Sequence, residues 1–219
     1  MMITNQINLP ITVILIDDHP VVRDGYRRLL ETTENIRVVA EAADGETGYV
    51  LYRQHTPDIV ILDLNMTGID GFETMRRIKA YDPAARILVF SMVNNETLVQ
   101  RVLKAGAAGY ITKQCGAKLM IQAVYQVKSG KIYIEPELAL QLATNLTVQD
   151  TSEDPLNALS NREFQIFKLM AEGKSTSQIA TIISISAKTV SVHHSHVMKK
   201  LKLENMVQLV RLAMECRII

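Results

Sequence analysis

Five side chains within the first 113 positions of this 219-residue chain have the types needed to do chemistry together: Asp17 and Asp18, Asp63, Ser91 and Lys113, each at the end of a short apolar run. Three carboxylates gathered in one crevice repel one another and stay ionised only where cations compensate. A hard divalent ion with oxygen ligands meets that need. Mg²⁺ binds through a few carboxylates and leaves positions open for water and a phosphoryl group, and Lys113 adds a second, mobile positive charge. Such a set suits phosphoryl transfer with Asp63 itself as nucleophile, forming an acyl phosphate while metal and lysine screen the transferring oxygens. Taken singly, each residue has a plainer reading: Asp at a strand end caps a helix or forms a turn, and Lys there is a solvated charge. The argument rests on the set, and so on elements that bring it to one edge.

Those elements are legible. Thr12–Ile16 is an apolar run of buried-strand type ending in Asp17-Asp18-His19-Pro20, followed by Val21, Val22, Tyr26, Leu29 and Leu30 at helical spacing. A second strand falls at 37–42, with Asp44 as N-cap of the next helix. Pro57 to Asp63 is a third strand whose carboxylate opens onto a loop with Gly68 and Gly71. Ile87 to Phe90 ends at Ser91, Asn94-Asn95 and Thr97 open a further helix, Gly109 to Lys113 is the fifth strand, and a helix closes at Gly130. Five strands alternating with five helices through short connections specify a doubly wound, five-stranded parallel α/β sheet. In such a sheet the carboxyl ends share one edge, so the five residues converge although they are far apart in sequence.

The remainder has a different character. Residues 1–155 carry 15 Lys+Arg against 19 Asp+Glu, whereas 156–219 carry 9 against 4 with three further histidines. A small basic domain suits an anionic partner, most economically nucleic acid. Between the two, 131–155 reads as a short helix, Leu138 to Leu142, and then a polar linker from Asn145 to Asp154 ending at Pro155, which divides the chain into domains at 1–130 and 156–219. Cys115 and Cys216 lack metal-ligand spacing and read as reduced thiols. No apolar run approaches the roughly 20 residues of a membrane helix, so the expected location is the cytoplasm.

The basic domain is a small all-α unit. Ser160 with Glu163 forms a capping box, Ser175 opens a second helix, Ser186 a third to about Leu201, and Asn205 a fourth. Two helices joined by a tight turn in a basic domain read as helix-turn-helix. In the third helix Val190, Val197 and Leu201 face a core with His193 at the edge, and Lys188, Ser191, Val192, Ser195 and Lys199 make the other face. Lysines flanking small polar residues suit a major groove, although the same pattern fits a solvated face. His193, His194 and His196 suggest a metal, but without Cys or acidic partners nearby they read as surface or groove-facing. The fourth helix carries an apolar band, including Leu209, Val210 and Ala213, wider than its own core needs, which predicts a homodimer contact.

Residues 11 to about 130 resemble the CheY-like receiver domain of two-component response regulators, on Asp17-Asp18, Asp63, Ser91 and Lys113 in order and spacing. The resemblance implies phosphorylation of Asp63 by a sensor histidine kinase. It further implies Mg²⁺ held by Asp17, Asp18, Asp63 and the backbone carbonyl of Asn65, phosphoryl contacts from Lys113 and Ser91, and Tyr110 as the switching aromatic. Thr67, where the family has proline, and Met92, where a small residue is common, depart from the pattern. Leu159-Ser160-Asn161-Arg162-Glu163, Ala171 to Ser175 and Ile185 to His193 resemble the LuxR/FixJ DNA-binding domain, which implies promoter DNA contacts by Lys188, Thr189, Ser191, Val192, Ser195 and Lys199. Together they resemble the NarL/FixJ family, and Gly130 to Glu137 is similar to the GacA/UvrY subgroup. RNA polymerase is a further expected partner. The competing readings are an aspartyl-phosphate enzyme acting on phosphoesters and a DNA-binding regulator that needs no phosphorylation.

Overall fold

The computed structural model describes residues 9–66, 69–92, 96–147, 155–183, 185–216 and 218–219. Its first part alternates β1 (Ile11–Ile16), α1 (Pro20–Leu30), β2 (Ile36–Ala42), α2 (Gly45–His55), β3 (Ile59–Leu62), α3 (Gly71–Tyr81), β4 (Ile87–Ser91), α4 (Glu96–Lys104), β5 (Gly109–Thr112) and α5 (Ala117–Lys128). These strands pair in parallel, in the order β2-β1-β3-β4-β5. The two-residue period of a strand feeds two cores. Val13, Leu15, Ile59, Ile61, Leu88 and Phe90 point to the side of α1 and α5, where they meet Leu30, Met120 and Val124. Ile14, Ile16, Val60, Leu62, Ile87 and Val89 point to the other, where they meet Tyr52, Met75, Ile78 and Val99. A strand buried on both faces has no polar side to show, which is why these segments are continuous apolar runs.

The sheet has a sixth strand, β6 (Tyr133–Ile134), parallel to β5, so it does not stop at residue 130. Helix α6 then runs Pro136–Thr147, well past the predicted end at Leu142, packs its buried Leu138 into the core and shortens the linker from its start at Asn145. Residues 148–154, the rest of the predicted linker, and Asn94-Asn95 lie outside the described residues. Two residues are too short for a strand to register as alternation, and the weakly amphipathic run 143–147 gives no periodic signal on its own.

A short 3-10 turn at Pro155–Ala158 leads into α7 (Asn161–Ala171), α8 (Thr176–Ile182), α9 (Ala187–Lys200) and α10 (Met206–Glu215). Ser160 and Ser175 each form a capping box, and Ser186 and Asn205 accept from the backbone three residues on. Phe167, Ile179, Val190, Val197, Leu209 and Ala213 form the core of this unit. That corrects the predicted dimer surface. Leu209 and Ala213, one turn apart, are fully buried against α7, and the outward side of α10 is formed instead by Val207 (77% exposed), Met214 (61%) and Met206, with Val210 between the two faces. Among the described residues no helix is long and apolar enough to cross a membrane.

Candidate phosphoacceptor site and nucleic-acid face

Register brings the acidic set together. Ile16 pairs with Leu62 across β1 and β3, and the Asp63 backbone N–H donates to the Ile16 carbonyl at 2.8 Å, so Asp17 and Asp63 leave adjacent strands side by side. Ser91 pairs with Thr112, and the Lys113 N–H donates to the Ser91 carbonyl at 2.8 Å. The loop after β3 is pressed against the start of α3: a Cβ at Gly71 would stand 2.3 Å from the Asp63 carbonyl oxygen, so only glycine fits there. Asp70 caps α3 by accepting from the Glu73 N–H at 2.7 Å.

Lys113 is the electrostatic centre. Its Nζ lies 2.6 Å from Asp17 Oδ2 and 2.8 Å from Asp63 Oδ2, with the side chain almost wholly buried and 5.7 Å from the centroid of the Phe90 ring. Asp63 is 1% exposed. Burial pushes its carboxyl above the usual range, Lys113 pulls it back, and the Asn65 N–H, donating to Oδ1 at 3.0 Å, pulls the same way. Ionising oxygens of Asp17, Asp18 and Asp63 and a ring nitrogen of His19 lie within 4.8 Å of one another. His19, which the sequence reading passed over, closes the outer side: its Nδ1 is 3.1 Å from Asp17 Oδ1 and 2.9 Å from Asp18 Oδ1. Its position directly after an Asp-Asp pair was the available signal. Three carboxylates facing one lysine leave a net negative, oxygen-rich pocket, which fits a hard divalent cation.

Ser91 and Tyr110 are both fully buried, and the Tyr110 hydroxyl is hydrogen-bonded to the Ser91 side chain. Burial drives the Tyr110 hydroxyl well above its ordinary pKa, so it remains a neutral phenol. Met92, directly after β4, is largely exposed, and Thr67 lies outside the described residues.

On α9 the structure places Lys188, Thr189, Ser191, Val192, Ser195 and Lys199 at the surface, opposite the buried Val190 and Val197. The Ser191 and Ser195 hydroxyls donate to the carbonyls of Ala187 and Ser191, each at 3.0 Å, and so stand parked along the helix. One feature was invisible to the sequence: the helical unit docks beside the acidic pocket. Lys168 Nζ of α7 donates to Asn65 Oδ1 at 3.3 Å, Arg162 lies 3.8 Å from Asp70, and Arg101 of α4 donates to the Leu156 carbonyl and stacks over the Phe164 ring at 4.6 Å. Burial pushes the Lys168 ammonium pKa down, against the upward pull of Glu172 and Asp63.

Residues 13–125 match the family described as response regulator receiver domain, and residues 157–213 the bacterial regulatory proteins of the luxR family. The chain is 38% identical over 200 residues to the nitrate/nitrite response regulator protein NarL of Escherichia coli strain K12, covering 91% of this chain and 93% of that one. It is 36% identical over 203 residues to the response regulator GacA of Pseudomonas aeruginosa, covering 93% and 95%. The two values differ too little to single out the GacA/UvrY subgroup. A solved structure of RcsB from Salmonella enterica serovar Typhimurium, bound to promoter rprA in the presence of phosphomimetic BeF3-, superposes with a TM-score of 0.67 at 29% identity, over 92% of this chain and 98% of that one.

Proposed function

Since the chain belongs to the NarL/FixJ family of two-component response regulators, a receiver domain joined to a LuxR-type DNA-binding domain, we propose that Asp63 takes a phosphoryl group from a sensor histidine kinase and that a pair of chains then binds promoter DNA through α9. The observation that carries this reading is Lys113 held between Asp17 and Asp63 in a buried, net acidic pocket. An Asp63 oxygen attacks the phosphorus, the bond from phosphorus to the donor nitrogen breaks, and the histidine leaves with the electron pair. Desolvation by the surrounding strands keeps water from competing, and Lys113, freed from Asp63 as that carboxylate becomes an acyl phosphate, turns to the new oxygens. Asp17, Asp18, Asp63 and the Asn65 carbonyl would hold Mg²⁺, which supplies charge compensation for the phosphoryl group.

The signal then leaves through Ser91. Its hydroxyl turns from Tyr110 toward the phosphoryl, and the buried ring, released, repacks the α4 face of the sheet. On DNA, Lys188 and Lys199 meet phosphates while Thr189, Ser191, Val192 and Ser195 reach base edges. A promoter-bound pair acts there on RNA polymerase, and the site of action is the cytoplasm.

The test is incorporation of phosphoryl from acetyl phosphate. Wild type takes up one equivalent only when Mg²⁺ is present, and Asp63→Asn takes up none. Labelling of Asp63→Asn at the wild-type rate overturns the assignment, and release of many equivalents of product from phosphoesters would point to an enzyme instead.

A further inference from the structure

Away from the acidic pocket, three ligand-type side chains from two helices of the DNA-binding domain stand together. Glu163 on α7 and His193 and His196 on α9 place one donor atom each within 4.8 Å of one another. From the sequence the histidines lacked an acidic partner; the fold supplies it by packing α7 across α9.

The arrangement has a divided carboxylate. Glu163 Oε2 accepts from the Ser160 N–H at 2.7 Å and from Lys200 Nζ at 2.6 Å, while Oε1 faces His196 Nδ1 at 3.8 Å. Burial alone would push this carboxyl up, but Lys200 and Ser160 hold it at about 2, so it is an anion at any physiological pH. His193 Nδ1 is buried and has no hydrogen-bond partner among the described residues, an interior cost that a ligand would relieve. Burial and the nearby Arg162 both favour its neutral form, the form that binds metal. His196 is 56% exposed in its side chain and stands nearly perpendicular to His193, with ring centroids 6.4 Å apart.

We propose that Glu163, His193 and His196 form a binding site for a divalent transition metal of the zinc type. One carboxylate and two imidazoles are the ligand set such ions prefer over Mg²⁺, and three protein ligands leave a fourth position for water. Bonds of about 2.0–2.1 Å require the donors to close to roughly 3.4 Å, a movement that exposed His196 has room to make. Lys200 and Arg162 oppose a cation and make the site a responsive one rather than a permanently filled one. Metal binding would staple α7 to α9 and fix the exposed half of the recognition helix.

Calorimetry of Zn²⁺ with the full-length chain, in large excess of Mg²⁺ to occupy the acidic pocket, tests this. Wild type and Asp63→Asn should each bind one equivalent. His196→Ala, an exposed change that leaves the fold intact, should weaken it by about 10- to 100-fold, at least what loss of a supporting group costs a metal site. His194→Ala, on the same helix but outside the cluster, should leave it unchanged. Absence of Zn²⁺ binding, equal losses in the His194 and His196 variants, or loss of binding in Asp63→Asn would each overturn the proposal.

Discussion

Asp63 is a carboxylate that the fold makes uncomfortable. Burial raises its pKa over the downward pull of Lys113, so the folded chain holds that proton more tightly than the unfolded chain. A group of this sign contributes stability that is fully present below its unfolded pKa and lost as pH rises through the folded one. Asp63→Asn removes the titration, so in metal-free buffer the variant gains on wild type as pH rises through the acidic range, and the gap then stays constant to neutrality. Urea unfolding across pH measures it, and a gap that is flat or shrinks with rising pH contradicts the assignment. Added Mg²⁺ should narrow the gap by stabilising wild type alone. Asp17, Asp63, Ser91 and Lys113 could be found in the sequence because each ends an apolar run, and a parallel sheet turns that repeated position into proximity. His19 and Lys168 could not be found that way. Their roles come from a turn and from docking of the second domain, neither of which leaves a period in the sequence.

The helices show where pattern suffices and where it stops. The caps at Asp44, Ser160, Ser175, Ser186 and Asn205 were readable because capping is chemistry between residues two or three apart. Helix α10 was readable as a helix but not as a surface: with apolar residues on several faces, period alone does not say which side meets α7. The structure divides the band, and the division makes opposite predictions for two neighbours. Leu209→Ala removes a fully buried side chain and should cost about 2–5 kcal/mol of stability. Val207→Glu, on the outward side, should leave stability within about 0.5 kcal/mol. If that side joins two chains on DNA, the same Val207→Glu change should weaken binding to a duplex with two half-sites by roughly a hundredfold, the lower end of the gain from linking two contacts. Binding to a single half-site should not change. Sedimentation and denaturation of the full-length variants separate the two, and an undiminished two-site affinity for Val207→Glu would remove α10 as the pairing surface.

At the scale of the whole chain, the acidic first domain sits against the basic second one, and the contact takes in two cations of the basic domain. Arg162 is turned toward Asp70 and Lys168 toward Asn65, and a cleft of about 590 Å³ between α3 and the turn before α9 is lined by Arg76, Lys79, Arg162 and Ile185. Docking therefore lowers the positive field around α9 while leaving its exposed side chains in place. What holds the two units is local: Leu64, Phe72, Leu98 and Phe164 form a small apolar patch, and Arg101 bridges it to Leu156. The pocket proposed to take the phosphoryl group shares Asn65 with this contact, so charge added at Asp63 would act within a few bonds of the interface. Arg101→Ala removes both its hydrogen bond and its stacking on Phe164, about 1–3 kcal/mol of docking and hence a roughly 5- to 150-fold rise in undocked molecules. The unphosphorylated variant should then have a larger radius of gyration in solution scattering and bind DNA more tightly. Its affinity should also fall more steeply with salt, because Arg162 and Lys168 become free to meet phosphates. Unchanged scattering together with an unchanged salt slope would show that the docked arrangement does not restrain the basic domain.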